Sequence, residues 1–393
     1  MLDLDSLAEG SEGSRLLQIV RSGRRRSGGS SVEATGLESA DPLPDKERLG
    51  LLEEALRKGA ERPQAEGRPE PALAEQVLAG ARSGLAKAQA GDTPLSNREM
   101  VGLEAVILTD GTRPSLTIHD GFVDLASPEI GDWDLALQQF QDAIRRVLRC
   151  VGRVDVPVQP GFAGTCFLVA PDVVATNRHV LEAIASQDAN GVWTFRWPGQ
   201  TTVNFVGEDG AALGTRIPVT DVLFAGADAI DRTIDFRHLD FGLLRIDPGA
   251  VADFPSPVRL EKDLDALGET RELYVVGFPA RPRTHFGPTA PGAGSETAEV
   301  MRSVFAWKFG VKKLAPGAAV AVPGALPNDA KKWVFTHNAS TLGGNSGSAV
   351  VDLGLDGARV IGIHFGGESR AQNWAHSFAA VRAAVPDHGQ SYL

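Results

Sequence analysis

Cysteine is nearly absent: Cys150 and Cys166 are the two in 393 residues. So few cannot build the disulfide framework of a bridged secreted fold, and both are expected as reduced thiols. No apolar run reaches the length of a membrane span, and Met1-Leu-Asp-Leu-Asp-Ser6 has neither the basic start nor the apolar centre of a secretory signal. These absences lead to the expectation of a cytoplasmic chain with no membrane contact. Positive charge is also in deficit, since 39 Lys and Arg against 50 Asp and Glu leave a net charge of −11. Nucleic acid is therefore not expected as a partner, because phosphate binding depends on clustered cations. The one basic cluster, Arg24-Arg25-Arg26, lies among Gly and Ser and reads as solvated linker, with a cleavage or partner-binding site as the alternative. Eight histidines and two cysteines without ligand spacing give no metal site. No phosphate or dinucleotide loop is found, so no cofactor is expected.

What is present divides the chain. Residues 1–44 are rich in Ser, Gly, Glu and Arg around one apolar cluster, Leu16-Leu-Gln-Ile-Val20, and are expected to be largely disordered. From Asp45 a helix is expected, with Leu49, Leu52 and Leu56 on one face. Pro and Gly between 63 and 71 end it. A second begins at Pro71, carrying Leu73, Val77, Ala81, Leu85 and Ala88 at steps of four and then three residues, with Gly91 as its stop. Ser96 to Glu99 matches a capping box. Glu104–Leu108 and Ser115–Ile118, around Asp110-Gly111, read as a β-hairpin. Asp132–Arg149 reads as one amphipathic helix whose stripe is Trp133, Leu137, Phe140, Ile144 and Val147. Residues 45–150 are thus expected as a helical and hairpin region, a candidate for regulation or for docking a partner protein.

From Val151 the texture changes to short apolar runs between Gly, Pro, Asp and Asn. Phe167–Ala170, Val173–Ala175, Phe241–Ile246, Leu273–Val276, Ala349–Val351 and Val360–Ile363 read as strands. With no βαβ alternation and no repeat, a pair of β-barrels over 151–385 is favoured, and 386–393 reads as a tail.

Thr341-Leu-Gly-Gly-Asn-Ser-Gly-Ser348 puts a serine between glycines, an ordinary turn on its own. Its meaning depends on a base and a carboxylate elsewhere. His179 follows an apolar strand in Val173-Val-Ala-Thr-Asn-Arg-His179. Asp240 opens the apolar run Asp240-Phe-Gly-Leu-Leu-Arg-Ile246, where a buried carboxylate needs a partner such as an imidazole N–H. Asp231 and Asp235 compete, but neither introduces the strand. Ser346 is not in the Gly-x-Ser-x-Gly setting of α/β-hydrolases, and the loop lacks the Lys of a P-loop.

The order His, Asp, Ser, with Gly164-Thr-Cys-Phe-Leu-Val169, Thr176-Asn-Arg-His-Val180, Leu239-Asp-Phe-Gly-Leu-Leu244 and Gly344-Asn-Ser-Gly-Ser348, resembles the trypsin-like serine peptidases. Within them the likeness is nearest to bacterial glutamyl endopeptidases, then to high-temperature-requirement proteases. The resemblance implies a mainly β fold, a chymotrypsin-like double six-stranded β-barrel preceded here by an α+β N-terminal region. It implies Ser346 as nucleophile, His179 as base, Asp240 as its orienting carboxylate, and the N–H groups of Gly344 and Ser346 as oxyanion hole. It also implies a protein or peptide substrate.

Three departures follow from the same likeness. Asn345 stands where trypsin has the aspartate that receives its new N-terminal amine, so that activation bond is not expected. The C-terminal peptide-binding domain usual in high-temperature-requirement proteases is not expected here. Ser340 occupies the position where trypsins carry an acid, which removes the charge partner for Lys or Arg. Thr341 and His364, in Gly362-Ile-His-Phe-Gly-Gly367, match the residues with which glutamyl endopeptidases contact an acidic side chain. The S1 expectation is therefore Ser340, Thr341 and His364, with a small undiscriminating pocket as the alternative. A serine endopeptidase of limited, regulatory action is expected. The rivals are an inactive protease-fold scaffold and a serine esterase.

Overall fold

The computed structural model describes residues 44–60, 71–90, 95–111, 113–158, 161–212, 214–230, 236–249, 251–263, 266–268, 271–280, 308–368 and 372–393. The Leu16–Val20 cluster, Arg24–Arg26, the 63–70 break, Gly91, Asp231 and Asp235 lie outside them.

Three helices come first: α1 (Asp45–Ala60), α2 (Pro71–Ala90) and α3 (Asn97–Thr109). Leu52 and Leu56 of α1 and Val77, Ala81, Leu85 and Ala88 of α2 bury together with Met100, Leu103 and Val106 of α3. The helical spacing is thus a packing stripe, and it makes a small core of its own. Ser96 and Glu99 form both halves of the capping box.

That box starts a helix which runs through Glu104–Leu108, so the strand expected there does not form. Leu103, Val106 and Ile107 bury against the other helices, and this 3.6-residue periodicity outweighs local strand preference. Asp110 then serves as the C-cap and forms a buried ion pair with Arg48 at 2.7 Å, while Gly111 turns the chain at φ +75°. The hairpin lies ten residues on, as β1 (Leu116–His119) and β2 (Phe122–Val123). Its turn is another Asp-Gly pair, Asp120-Gly121, at φ +48° and +77°, as a two-residue hairpin requires.

The expected Asp132–Arg149 helix is interrupted. A 3₁₀ turn (Pro128–Trp133) leads to α4 (Asp134–Gln139) and α5 (Gln141–Cys150), with Phe140 between them at φ −105°, ψ 17°. The interruption falls where Phe140 lies over Gly357, whose absent Cβ leaves the room. Leu137, Ile144 and Val147 still bury, and Trp133 and Phe140 pack beside them.

The first barrel contains β3 (Val151–Asp155), β4 (Phe162–Ala170) and β5 (Val173–Thr176). After β5 come α6 (Arg178–Ile184) and a small hairpin, β6 (Ala185–Gln187) and β7 (Trp193–Phe195). The strands β8 (Thr202–Asn204), β9 (Arg216–Ala225) and β10 (Gly242–Ile246) complete a closed antiparallel barrel in the order β10-β5-β4-β3-β8-β9. A short β11 (Arg259–Leu260) leads to the second barrel. That barrel has β12 (Glu272–Gly277), β13 (Lys313–Ala321), β14 (Val334–His337), β15 (Ala349–Asp352), β16 (Arg359–Glu368) and β17 (Gln372–Ser377). Its order is β12-β15-β16-β17-β14-β13, closed by the β12–β13 pairing. The fold is therefore two closed six-stranded antiparallel barrels preceded by helices. Closure leaves no free barrel edge.

The region before the barrels is stitched to them. Leu116 of β1 pairs with Leu314 of β13, and Leu137, Ile144 and Val147 share a core with Phe167, Phe241, Tyr274, Phe278 and Phe378 from both barrels. Lys312 is fully buried at this junction, donating to the carbonyls of Leu148 (2.7 Å) and Phe205 (2.6 Å), and burial pushes its pKa down to about 8. After β17 come α7 (Phe378–Ala384) and α8 (Asp387–Gln390). Residues 386–393 are packed rather than free: Leu393 is buried and Tyr392 Oη accepts from Arg245. Among the described residues no helix is long and apolar enough to cross a membrane.

Candidate active site

The site lies where the two barrels face each other. β5 ends at Thr176, and Asn177 caps α6 so that His179 sits in its first turn. Asp240 comes immediately before Phe241 and β10, which pairs with β5 through Gly242↔Thr176. That register sets the two side chains together. His179 Nδ1 lies 2.6 Å from Asp240 Oδ2, and the backbone N–H of His179 donates to Oδ1 at 2.9 Å. Both carboxylate oxygens are thus committed to one residue, fixing the ring and placing the Nδ1 proton toward the acid.

Two further contacts hold Asp240 from behind. Asn177 Nδ2 donates to its carbonyl at 2.9 Å, and its own N–H donates to His376 Nε2 at 3.1 Å. His376 must accept there, so its proton is on Nδ1, which is buried without a partner. Burial holds His376 at a pKa of about 4 against the opposing charges of Asp240 and Asp329, and its ring stacks on Phe365 at 4.3 Å. It is a neutral prop.

Burial by itself lowers the pKa of His179, but the charge and hydrogen bond of Asp240, helped by Glu182, outweigh it and the net shift is upward. Burial likewise raises Asp240, and the His179 charge and hydrogen bonds reverse that. Asp240 is 6% exposed and His179 33%, so the acid is sealed while the imidazole stays reachable.

Ser346 is set by the other barrel. Its carbonyl accepts from Thr165 N–H at 2.8 Å, and Gly347 N–H donates to His364 O at 2.9 Å. Thr165 Oγ1 donates to Gly344 O at 2.8 Å and accepts from Phe278 N–H at 3.2 Å. A Cβ at Gly164 would meet both Val180, beside His179, and the Ser346 carbonyl, at 2.7 and 3.0 Å. The loop therefore faces α6 across a glycine. The Ser346 hydroxyl has no hydrogen bond to His179 in this structure; without substrate that bond is commonly long and tightens on binding.

The peptide units of the loop have a fixed sense. Gly343 O accepts from Ala280 N–H at 2.5 Å and Asn345 O from Ser348 N–H at 2.8 Å. In a trans peptide the N–H points opposite to the C=O, so the Gly344 and Ser346 N–H groups are turned the other way. Among the described residues neither has an acceptor. Gly344 has φ +88°, and a Cβ there would come within 2.6 Å of Phe278 O, so only glycine fits.

The expected S1 residues occupy one wall. Thr341 Oγ1 donates to Asn373 Oδ1 at 2.6 Å, and Asn373 is the register partner of His337. His337 Nε2 lies 3.3 Å from His364 Nδ1. Ser340 Oγ donates to Arg113 O at 2.7 Å. Burial and the nearby His179 charge push His364 down to about 3; burial, His364 and Arg113 hold His337 well below the usual imidazole range. Both rings are neutral. Sequence reasoning passed over Thr165, Asn177, Arg113, His337, Asn373 and His376. Thr165 and Asn177 lie inside recognised motifs, and the other four had no local signal.

Two closed barrels with a histidine and an aspartate on the first and a Gly-Asn-Ser-Gly loop on the second define a chymotrypsin-fold serine hydrolase site. Residues 164–363 match the trypsin-like peptidase domain, and the chain belongs to that family. It is 32% identical over 374 residues to a probable serine protease of Lysobacter enzymogenes, covering 90% of this chain and 92% of the relative. Among solved structures it is similar to the inactive form of the Rv3671c protease (17% identity, 63% and 94% of the two chains, TM-score 0.34). It is similar also to a scabies mite inactivated protease paralogue (13%, 62% and 95%, TM-score 0.41). The family makes the protein a trypsin-like serine protease acting on protein or peptide substrates. Among the described residues no group of three His, Cys, Asp or Glu could hold a metal.

Proposed function

We propose that the chain is a serine endopeptidase working through a His179-Asp240-Ser346 triad and an acyl-enzyme, with a preference for an acidic P1 side chain. The observation that carries this reading is the two-pronged hold of Asp240 on His179, through the backbone N–H and Nδ1 together. Ser346 Oγ attacks the scissile carbonyl carbon as its proton passes to His179 Nε2. The developing oxyanion takes hydrogen bonds from the Gly344 and Ser346 N–H groups. His179 then returns the proton to the leaving amine as the C–N bond breaks. Water repeats the sequence in reverse sense and frees Ser346.

An acidic preference draws support from the match of Thr341 and His364 to the acid-contacting positions of glutamyl endopeptidases, and from the absence of negative charge at His364, Thr341 and Ser340. Cys150 and Cys166, buried and unbridged, suit a reducing compartment, so the proposed setting is limited proteolysis in the cytoplasm. The region before the barrels, sharing their core, is the proposed site of control or of partner docking.

Incubation with a denatured proteome and mass spectrometry of the new termini tests the reading. New termini enriched after Glu or Asp, and lost with Ser346→Ala, are expected. Termini independent of Ser346 would remove the mechanism, and an even P1 distribution would remove the preference. The hydrogen-bond geometry of the oxyanion site gives a sharper result. Gly344→Ala is expected to lower kcat by about 10²–10³-fold, because relief of the Cβ clash must rotate the 343–344 peptide. A variant that folds and keeps wild-type kcat would show that this N–H takes no part.

A further inference from the structure

We infer that Arg113, from the segment ahead of both barrels, is the cation that receives an acidic P1 side chain. The inference rests on the serine peptidase reading above and names the charge that its pocket needs. His364 and His337 are neutral, and Ser340 and Thr341 supply only hydroxyls. A carboxylate entering such a wall loses water and gains no opposite charge, which disfavours it strongly.

The backbone of Arg113 is held beside Ser340 and between two fixed elements. Its carbonyl accepts from Ser340 Oγ at 2.7 Å, its N–H donates to Ile107 O at 3.4 Å, and three residues on Leu116 enters the β13 pairing. Its charge reaches His337, whose Nε2 meets His364. Among the described residues the guanidinium has no hydrogen-bond or ion-pair partner. It is enclosed enough that burial draws its pKa down to about 10, so it stays charged at neutral pH, while the residue keeps part of its accessible surface.

An enclosed guanidinium with five donors and no carboxylate is a costly arrangement, and an arriving carboxylate relieves it with paired, charge-assisted hydrogen bonds. His364 complements this when His337 Nε2–H donates to its Nδ1, because its own Nε2–H is then left as a donor. Selectivity in this protein therefore depends on a residue outside the barrels. Seating of the N-terminal region and recognition of P1 become one event.

The test compares two peptides that differ only in P1, Glu against Gln. In the full chain, Arg113→Gln is expected to lower the Glu-to-Gln ratio of kcat/KM by roughly 100-fold, with Arg113→Lys keeping a good part of it. An unchanged ratio, or a parallel fall for both peptides, overturns the inference. A second measurement needs no turnover: calorimetric binding to Ser346→Ala of product peptides ending in Glu or in Gln. Adding Arg113→Gln should weaken the Glu peptide alone by a similar factor, and equal affinities overturn the role of Arg113. If wild-type cleavage proves independent of Ser346 while this binding difference holds, the mechanism fails and the Arg113 site stands.

Discussion

Ser346→Ala is expected to reduce kcat for peptide hydrolysis by about a millionfold and to abolish covalent labelling by a fluorophosphonate. The size follows from what the substitution removes. Without Oγ there is no acyl-enzyme, and water must attack directly with the oxyanion N–H groups and the bound substrate still in place. Those groups do not depend on the side chain, since the Asn345 carbonyl is tied to Ser348 and the Ser346 carbonyl to Thr165 through backbone alone. A residual rate above the uncatalysed reaction should therefore survive. The triad also works as a unit, so adding His179→Ala to Ser346→Ala should cost little more. Single-turnover kinetics on a fluorogenic peptide reads both effects. Turnover retained by Ser346→Ala would place the nucleophile elsewhere, and a large additional loss in the double variant would mean that His179 serves a separate step.

The parts of this site legible in the sequence are those in which chemistry and local backbone coincide. Ser346 was visible because a turn with φ near +90° at Gly344 and Gly347 requires glycines on either side of it. His179 and Asp240 were visible because each adjoins an apolar strand, and β5 pairing with β10 is what joins them. His376 was not visible, since its contact with Asp240 depends on the register that sets Val334 and Ile363 beside it. Arg113 was hidden for a different reason. Its neighbourhood has the sequence pattern of a hairpin, whereas α3 runs to Thr109 and only the long-range pairing of β1 with β13 brings the following segment to Ser340. The misplaced hairpin shows the limit of a turn signal. Asp-Gly at 110–111 closes a helix and Asp-Gly at 120–121 closes a hairpin, and burial of the preceding residues decides between them.

Asp240→Asn should combine a large loss of rate with a displaced pH profile, and the pair distinguishes orientation from simple packing. The rate is expected to fall on the order of 10⁴-fold, because an amide can donate to Nδ1 and stabilise the tautomer whose Nε2 carries the proton. The profile follows from the groups around His179, which are Asp240, Glu182 and His364. In the wild type, burial lowers its pKa and the Asp240 charge more than restores it, so the imidazolium persists above the ordinary 6.5. Only the neutral ring accepts the Ser346 proton. Activity must therefore rise with pH through the His179 pKa, and the acid limb of kcat/KM should lie above 6.5. Asparagine removes the charge and leaves the burial, so the limb should move to lower pH while Glu182 alone opposes it. His376 stays neutral over this range, with a pKa of about 4, and the Asp240 backbone N–H that it accepts survives the substitution. The loop before β10 should then keep its place, and melting temperature should change far less than rate. A limb that does not move on Asp240→Asn, measured as kcat/KM from pH 5 to 9, would mean that another group sets the ionisation of the base. A shift without the loss of rate would mean that the tautomer is held by the α6 backbone rather than by the carboxylate.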